Sequence, residues 1–199
     1  MAEQKDYCWE SSLRSKEVPR KFTCGHCGKF APAQQHYQAI PRDASTMSPR
    51  YIFICPNCDQ PTYFESEYGP QHPGEPFGND IPRLPPQVDL LYREARKCMT
   101  IQAYTATTLI CRKILMHVAV NLGAPPNKTF TEYLDHLNNH GYLTPKNKNW
   151  VDHIRKKGND ANHTIDPIFQ HEAETLITFL EMLLRLTYEF PGKMPAGKP

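Results

Sequence analysis

The chain has 199 residues, enough for one ordinary domain and a smaller one. Its 39% hydrophobic and 22% charged content suits a globular chain, and no run approaches the ~20 apolar residues of a membrane helix. A formal net charge of +2 excludes a nucleic-acid binder that works by bulk attraction; four thiolates on one Zn2+ would lower that charge by a further two.

Residues 1–20 read as an N-terminal tail. The stretch Met1–Glu10 is charged and shows no secretory pattern, so a cytoplasmic location is expected. Tyr7 and Trp9 have no local partners in this reading and would pack on the next module or on another subunit. Arg14, Lys16, Arg20 and Lys21 form one basic cluster, of the kind that is usually a solvated face.

Residues 21–68 read as a small β module. Cys24-Gly-His-Cys27 and Cys55-Pro-Asn-Cys58 are two C-x-x-C knuckles. Two intervening residues let both sulfurs point at one ion, so two knuckles supply the four ligands of a structural zinc ribbon. The expected metal set is Cys24, Cys27, Cys55 and Cys58, with His26 as a spare donor. A redox pair is disfavoured, because no thioredoxin-like pattern surrounds either knuckle. Runs at 36–40, 51–55 and 61–65 read as strands, with a loop at 41–50. Phe30, Tyr37, Tyr51, Phe53, Tyr63 and Phe64 would fill the small core or offer a binding surface. A closed four-thiolate site leaves no position for water, so no chemistry is expected there.

Residues 69–87 carry six of the 19 prolines and read as an extended linker laid along a surface. From Val88 the apolar period changes from two to 3.6. Val88, Leu91, Ala95, Cys98 and Met99 mark one face. Ala106, Leu109, Ile110, Ile114, His117 and Val118 mark the next, with a bend near Thr100. Gly123 before Pro125 and Pro126 is a stop. Thr129-Phe-Thr-Glu132 is a capping box that opens a helix ending at Gly141. Thr144-Pro145 opens another, and Asp166-Pro167 opens a last one that runs through Leu176, Leu180 and Leu184 to Thr187. Residues 88–190 are thus expected to be an all-α bundle of four to five helices, and 191–199 a C-terminal tail.

The stretch with the most chemistry is Trp150 to His163. It sets Arg155, Asn159 and His163 at i, i+4 and i+8, which on one helix forms a polar stripe. Lys156 and Asp160 lie beside it, and Lys146, Lys148 and Lys157 add positive charge. A cation, an amide and an imidazole on one edge suit phosphate-directed acid–base chemistry. The stretch resembles the signature of the HEPN superfamily, in which an arginine precedes a histidine by a short polar spacer on a bundle helix. The spacer from Arg155 to His163 is longer than the family's, which leaves Arg155, Lys156 and Lys157 all open as the operative cation. Gly158 to His163 resembles a branch often fused to a zinc ribbon. Glu94, in Leu91-Tyr-Arg-Glu-Ala95, and Arg112, in Leu109-Ile-Cys-Arg-Lys-Ile-Leu115, match polar positions of that branch. They would line the groove or form an interhelical ion pair, the second being favoured.

The resemblance implies a HEPN-like bundle beside the zinc ribbon and metal-independent cleavage of RNA to 2′,3′-cyclic phosphate ends. It implies Arg155, Asn159 and His163 as catalytic, with Lys156, Asp160, Arg112 and Glu94 secondary. It also implies a homodimer or higher homo-oligomer. A zinc ribbon on such a nuclease resembles the ring-forming zinc-finger ribonucleases of prokaryotic phage immunity, toxin-like effectors. There the ribbon would be the sensor and a viral protein the trigger. The alternative is a non-catalytic adaptor that binds nucleic acid, nucleotide or a protein partner. A DNA-binding regulator fits the charge poorly, and no acidic cluster suggests a metal-dependent nuclease.

Overall fold

The computed structural model describes residues 7–12, 20–33, 35–43, 47–143 and 167–193, the first of these as backbone. The chain divides into two compact units, Met1–Pro76 and Phe77–Pro199.

The first unit is built from short antiparallel strands: β1 Tyr7–Ser12, β2 Lys21–Thr23, β3 Phe30–Pro32, β4 Gln35–Pro41, β5 Arg50–Ile54, β6 Pro61–Phe64 and β7 Gln71–His72. Five make one sheet in the order β1-β4-β5-β6-β7, and β2 pairs with β3 in a second. Alternation on β5 buries Tyr51 and Phe53 and sets Phe64 of β6 opposite Tyr51. Phe22 of β2 reaches into the same cluster, 5.7 Å from the Phe64 ring and 5.9 Å from Phe53. That contact ties the small sheet to the large one. The Arg20 guanidinium lies 4.0 Å from the centre of the Phe64 ring and donates to the Ser66 carbonyl at 3.4 Å.

Three expectations change here. Residues 7–12 are the edge strand of the large sheet, with Tyr7 opposite Pro41 and Ser12 opposite His36. A six-residue strand that pairs with a segment thirty residues on leaves little local signal. Phe30 is 67% exposed and Tyr37 lies at the surface, so the aromatic core is smaller than the sequence suggests and includes Phe22 instead. The proline-rich stretch is not one linker but two docked pieces. Gln71 and His72 pair with β6, and the Gln71 amide donates to the carbonyls of Thr23 (2.9 Å) and Pro73 (3.1 Å). Ile81 is buried in the helical core, with Phe77 and Leu84 packed against it. Proline forbids a helix or a central strand there, but it does not stop intervening apolar residues from docking.

The second unit contains α1 Pro86–Thr100, α2 Tyr104–Asn121, α3 Phe130–Asn139 and α4 Gln170–Leu184. A wider turn, Arg185–Glu189, and a short 3-10 turn follow α4. The bend near Thr100 is a true break, with Gln102 in the left-handed region at φ 61°. Helix α2 packs on each of the other three. The Thr129 capping box forms as expected: its hydroxyl accepts from Glu132 N–H while Glu132 accepts from Thr129 N–H. The last helix starts at Gln170 rather than Asp166-Pro167, because the Glu172 carboxylate closes the first turn onto the Phe169 N–H at 2.9 Å. The expected Thr144-Pro145 helix lies outside the described residues.

The faces differ from the sequence reading as well. Tyr92 joins Val88, Ala95 and Met99 in the core, and α2 buries Thr107, Thr108, Cys111, Arg112, Leu115 and Ala119 with Ile114 and Val118. Leu109 is exposed. Apolar residues surround α2 almost completely, so periodicity does not select its face.

Residues 77–81 are clamped onto this bundle by polar contacts. Arg96 donates to the carbonyls of Phe77 (3.0 Å) and Gly78 (2.9 Å) and pairs with Asp80. Tyr92 donates to the Asn79 carbonyl at 3.0 Å. Both carboxylate oxygens of Glu181 accept from Asn79, and Arg185 donates to one of them at 2.8 Å. Gly78 has φ 74°, and a Cβ there would stand 3.1 Å from Ile177 and from the Tyr92 hydroxyl. Burial opposes ionisation of Glu181, but the donors of Asn79 and Arg185 outweigh it and hold its pKa below the usual carboxylate value.

A group held low in the folded state stabilises above its unfolded pKa and loses that stability as pH falls through the folded value. The urea midpoint of the helical unit should therefore fall as pH drops below about 4.5, and Glu181→Gln should be less stable at pH 7 with a flatter acid limb. An unchanged acid limb in that variant would remove Glu181 from this role.

Candidate functional site

Two equivalent turns bring the four cysteines together. In the first, Gly28 N–H bonds the Cys24 carbonyl at 2.8 Å and Cys24 N–H bonds the Lys29 carbonyl at 3.0 Å. In the second, Asp59 N–H bonds the Cys55 carbonyl at 2.9 Å and Cys55 N–H bonds the Gln60 carbonyl at 3.0 Å. The residue after each second cysteine is left-handed, Gly28 at φ 69° and Asp59 at φ 56°. These paired turns are why C-x-x-C spacing works: each curls two sulfurs to the same side.

All four Sγ atoms lie within 4.8 Å of one another. Cys24 to Cys58 and Cys27 to Cys55 are each 3.7 Å apart. That is too long for a disulfide, which needs about 2.05 Å. Sulfurs ~2.3 Å from one ion at tetrahedral angles stand about 3.8 Å apart, so the cluster is sized for a metal. Cys24 and Cys55 are fully buried, and the His26 N–H reaches the Cys24 sulfur at 3.4 Å. The His26 ring turns away and donates to the Pro61 carbonyl at 2.9 Å, leaving four thiols as the donor set. Burial pushes the Cys55 thiol up, but the N–H groups of Asn57 and Cys58 and the neighbouring thiols outweigh it and bring it to about 7. Burial and the other three thiols push Cys58 up to about 12. Four adjoining thiols cannot all ionise without a cation between them. The close approach of Gly25 to the Pro73 carbonyl, 2.4 Å from where a Cβ would sit, shows that the residues after β7 seal this end of the module.

Of the residues expected to act on RNA, Arg155, Lys156, Asn159, Asp160 and His163 lie outside the described residues, as do Lys146, Lys148 and Lys157. Glu94 and Arg112 are described and are not paired. Glu94 is exposed on α1. Arg112 is buried on α2, its guanidinium carbon 4.4 Å from the centre of the Phe130 ring. The favoured ion pair is thus not formed, because the two residues point into different surroundings. Cys111 is a fully buried core thiol, raised by burial, and Cys98 is partly buried.

Geometry therefore defines a four-cysteine β module joined in one chain to a helical module. The chain belongs to the family described as Domain of unknown function (DUF4145), which matches residues 93–197. No curated protein and no solved structure matches it. Among the described residues, no helix is long and apolar enough to cross a membrane.

The metal centre has a direct test. Titrating the reduced full chain with Co2+ should give about one ion per chain and the intense absorption of four-thiolate cobalt, and Cys55→Ala should lose both. Stripping the ion should collapse the amide signals of β4 to β6 while helical circular dichroism persists. Signals that survive a chelator would show that the module folds without metal.

Proposed function

We propose that the chain is a metal-independent RNA endonuclease whose β module holds a structural Zn2+. The observation that carries this reading is the Arg155, Asn159, His163 pattern, spaced four residues apart in the sequence and lying within the family match. Its likeness to the HEPN signature supports the same reading. Zinc is the metal proposed because a closed set of four thiolates suits its softness and tetrahedral preference.

In this mechanism the RNA supplies the nucleophile. The 2′-oxygen attacks the adjacent phosphorus, the P–O5′ bond breaks, and the product carries a 2′,3′-cyclic phosphate. His163 takes the 2′-hydroxyl proton or delivers one to the departing 5′-oxygen. Arg155, with Lys156 beside it, balances charge on the five-coordinate phosphorus. Asn159 orients a phosphate oxygen or the imidazole, and Asp160 steadies the neighbouring cation. One histidine per motif favours two copies sharing acid and base roles across a homodimer or higher homo-oligomer. The β module would act as the sensor, with a viral protein as its trigger, in a toxin-like defence effector.

Purified chain incubated briefly with total RNA in EDTA should yield cyclic-phosphate ends. His163→Ala should lower the rate by about 10²- to 10⁴-fold, and Arg155→Ala and Lys156→Ala compared side by side should identify the working cation. If cleavage persists in His163→Ala, or no cyclic ends form with any activating partner, the adaptor reading replaces this one.

A further inference from the structure

We infer that Arg112 and Thr108, one turn apart on α2, form an oxyanion subsite that takes a phosphoryl group. Three buried side-chain polar atoms among the described residues have no hydrogen-bond partner: Thr62 Oγ1, Thr108 Oγ1 and Arg112 Nη1. Two of the three sit at i and i+4 of one helix and so share a face. Thr108 is 1% exposed and Arg112 9%.

This pairing is costly unless something answers it. A guanidinium stays charged under all ordinary conditions, and an unpaired charge away from water is among the most expensive things a fold can hold. Burial is the one cause that acts on the Arg112 guanidinium, lowering its proton affinity, and no carboxylate balances it among the described residues. Phe130 does not supply the missing charge. Its ring lies 4.4 Å from the guanidinium carbon and accepts no hydrogen bond in the plane of the fork, and Nη1 is left without an acceptor. A guanidinium N–H at Nη1 without an acceptor, with an unmet hydroxyl about one turn (~5.4 Å) along the same face, matches an anion that carries oxygens on several sides. Phosphoryl oxygens meet that description, and a spherical halide does not. Neighbouring Thr107 shows the contrast: its hydroxyl reaches the carbonyls of Ala95 and Ala103. The fold satisfies the hydroxyl it uses for packing and leaves the adjacent one, beside the cation, unmet.

The owner of the phosphate is either an RNA backbone or a free nucleotide. Here alone the inference rests on the ribonuclease reading, since that reading makes the RNA backbone the first choice. The test uses the zinc-loaded full chain with three probes: inorganic phosphate, 5′-AMP and a 2′-O-methyl oligoribonucleotide that cannot be cut. Inorganic phosphate, and at least one of the other two, should raise the thermal midpoint by about 5 °C at a hundredfold excess over the dissociation constant. Which of those two binds tighter identifies the owner. Thr108→Val, which keeps the shape of the side chain, should weaken binding about tenfold, and Arg112→Met should abolish it. A wild-type midpoint that none of the probes moves, or equal binding by wild type and both variants, overturns the subsite. If the 2′-O-methyl strand binds through Arg112 while ordinary RNA stays intact, the cleavage reading fails and the subsite stands. If Arg112→Met cuts and binds RNA as wild type does, the reverse holds.

Discussion

Charge removed from water must be balanced where it sits, and each unit of this chain is arranged around one case of that rule. In the β module, the shared interior of two knuckles holds four thiols whose sulfurs lie within 4.8 Å. Their aromatic surroundings are too few to fold the module unaided: Phe22, Tyr51, Phe53 and Phe64 make up most of its core. A dication at the centre would offset half of the charge of four thiolates and close the long loop between the knuckles in one step. A metal bound there would be part of the fold of this module.

In the helical unit the same rule takes two forms. Glu181 and Arg185 answer each other at the surface end of α4 and fasten the segment around Asn79. Arg112 sits deeper, and no carboxylate among the described residues answers it. Mutual pairing spends its charge on holding two chain segments together. An unanswered buried charge has none of that benefit, so its retention at the hub of the bundle calls for a different explanation from structural glue.

How much of this could be read from the sequence depends on how local the cause is. The knuckles were legible because C-x-x-C spacing alone builds the turn that aims both sulfurs. The capping box at Thr129 and the break after Thr100 were legible for the same reason, since each is decided within a few residues. Strand β1 was not, because its identity rests on pairing with β4. The docked pieces of the proline-rich stretch were missed because proline reports what a backbone cannot do and says nothing about what Ile81 or Gln71 will touch. Helix α2 was placed correctly but rotated. With apolar residues on all sides, its buried face is chosen by the three helices around it. Arg112 and Glu94 carried a sequence signal as polar positions, but a signal of that kind cannot say which of the two will be buried.

That rotation changes which residues of α2 can matter. Had Leu109 and Ala106 faced inward, Thr108 and Arg112 would have lain at the edge of the helix, free to meet water. The observed orientation exposes Leu109 and buries both polar residues. Exposing a leucine while burying a guanidinium is unfavourable on both counts for an isolated helix. The gain comes from Cys111, Ile114, Leu115, Val118 and Ala119, which the same orientation seats in the core. Packing thus sets the angle of α2, and Arg112 is carried inward with it. An apolar side chain long enough to cover the Phe130 ring would relieve the conflict. A polar group kept at a position where the surrounding fold would be served better by a hydrocarbon is best understood through what it can bind.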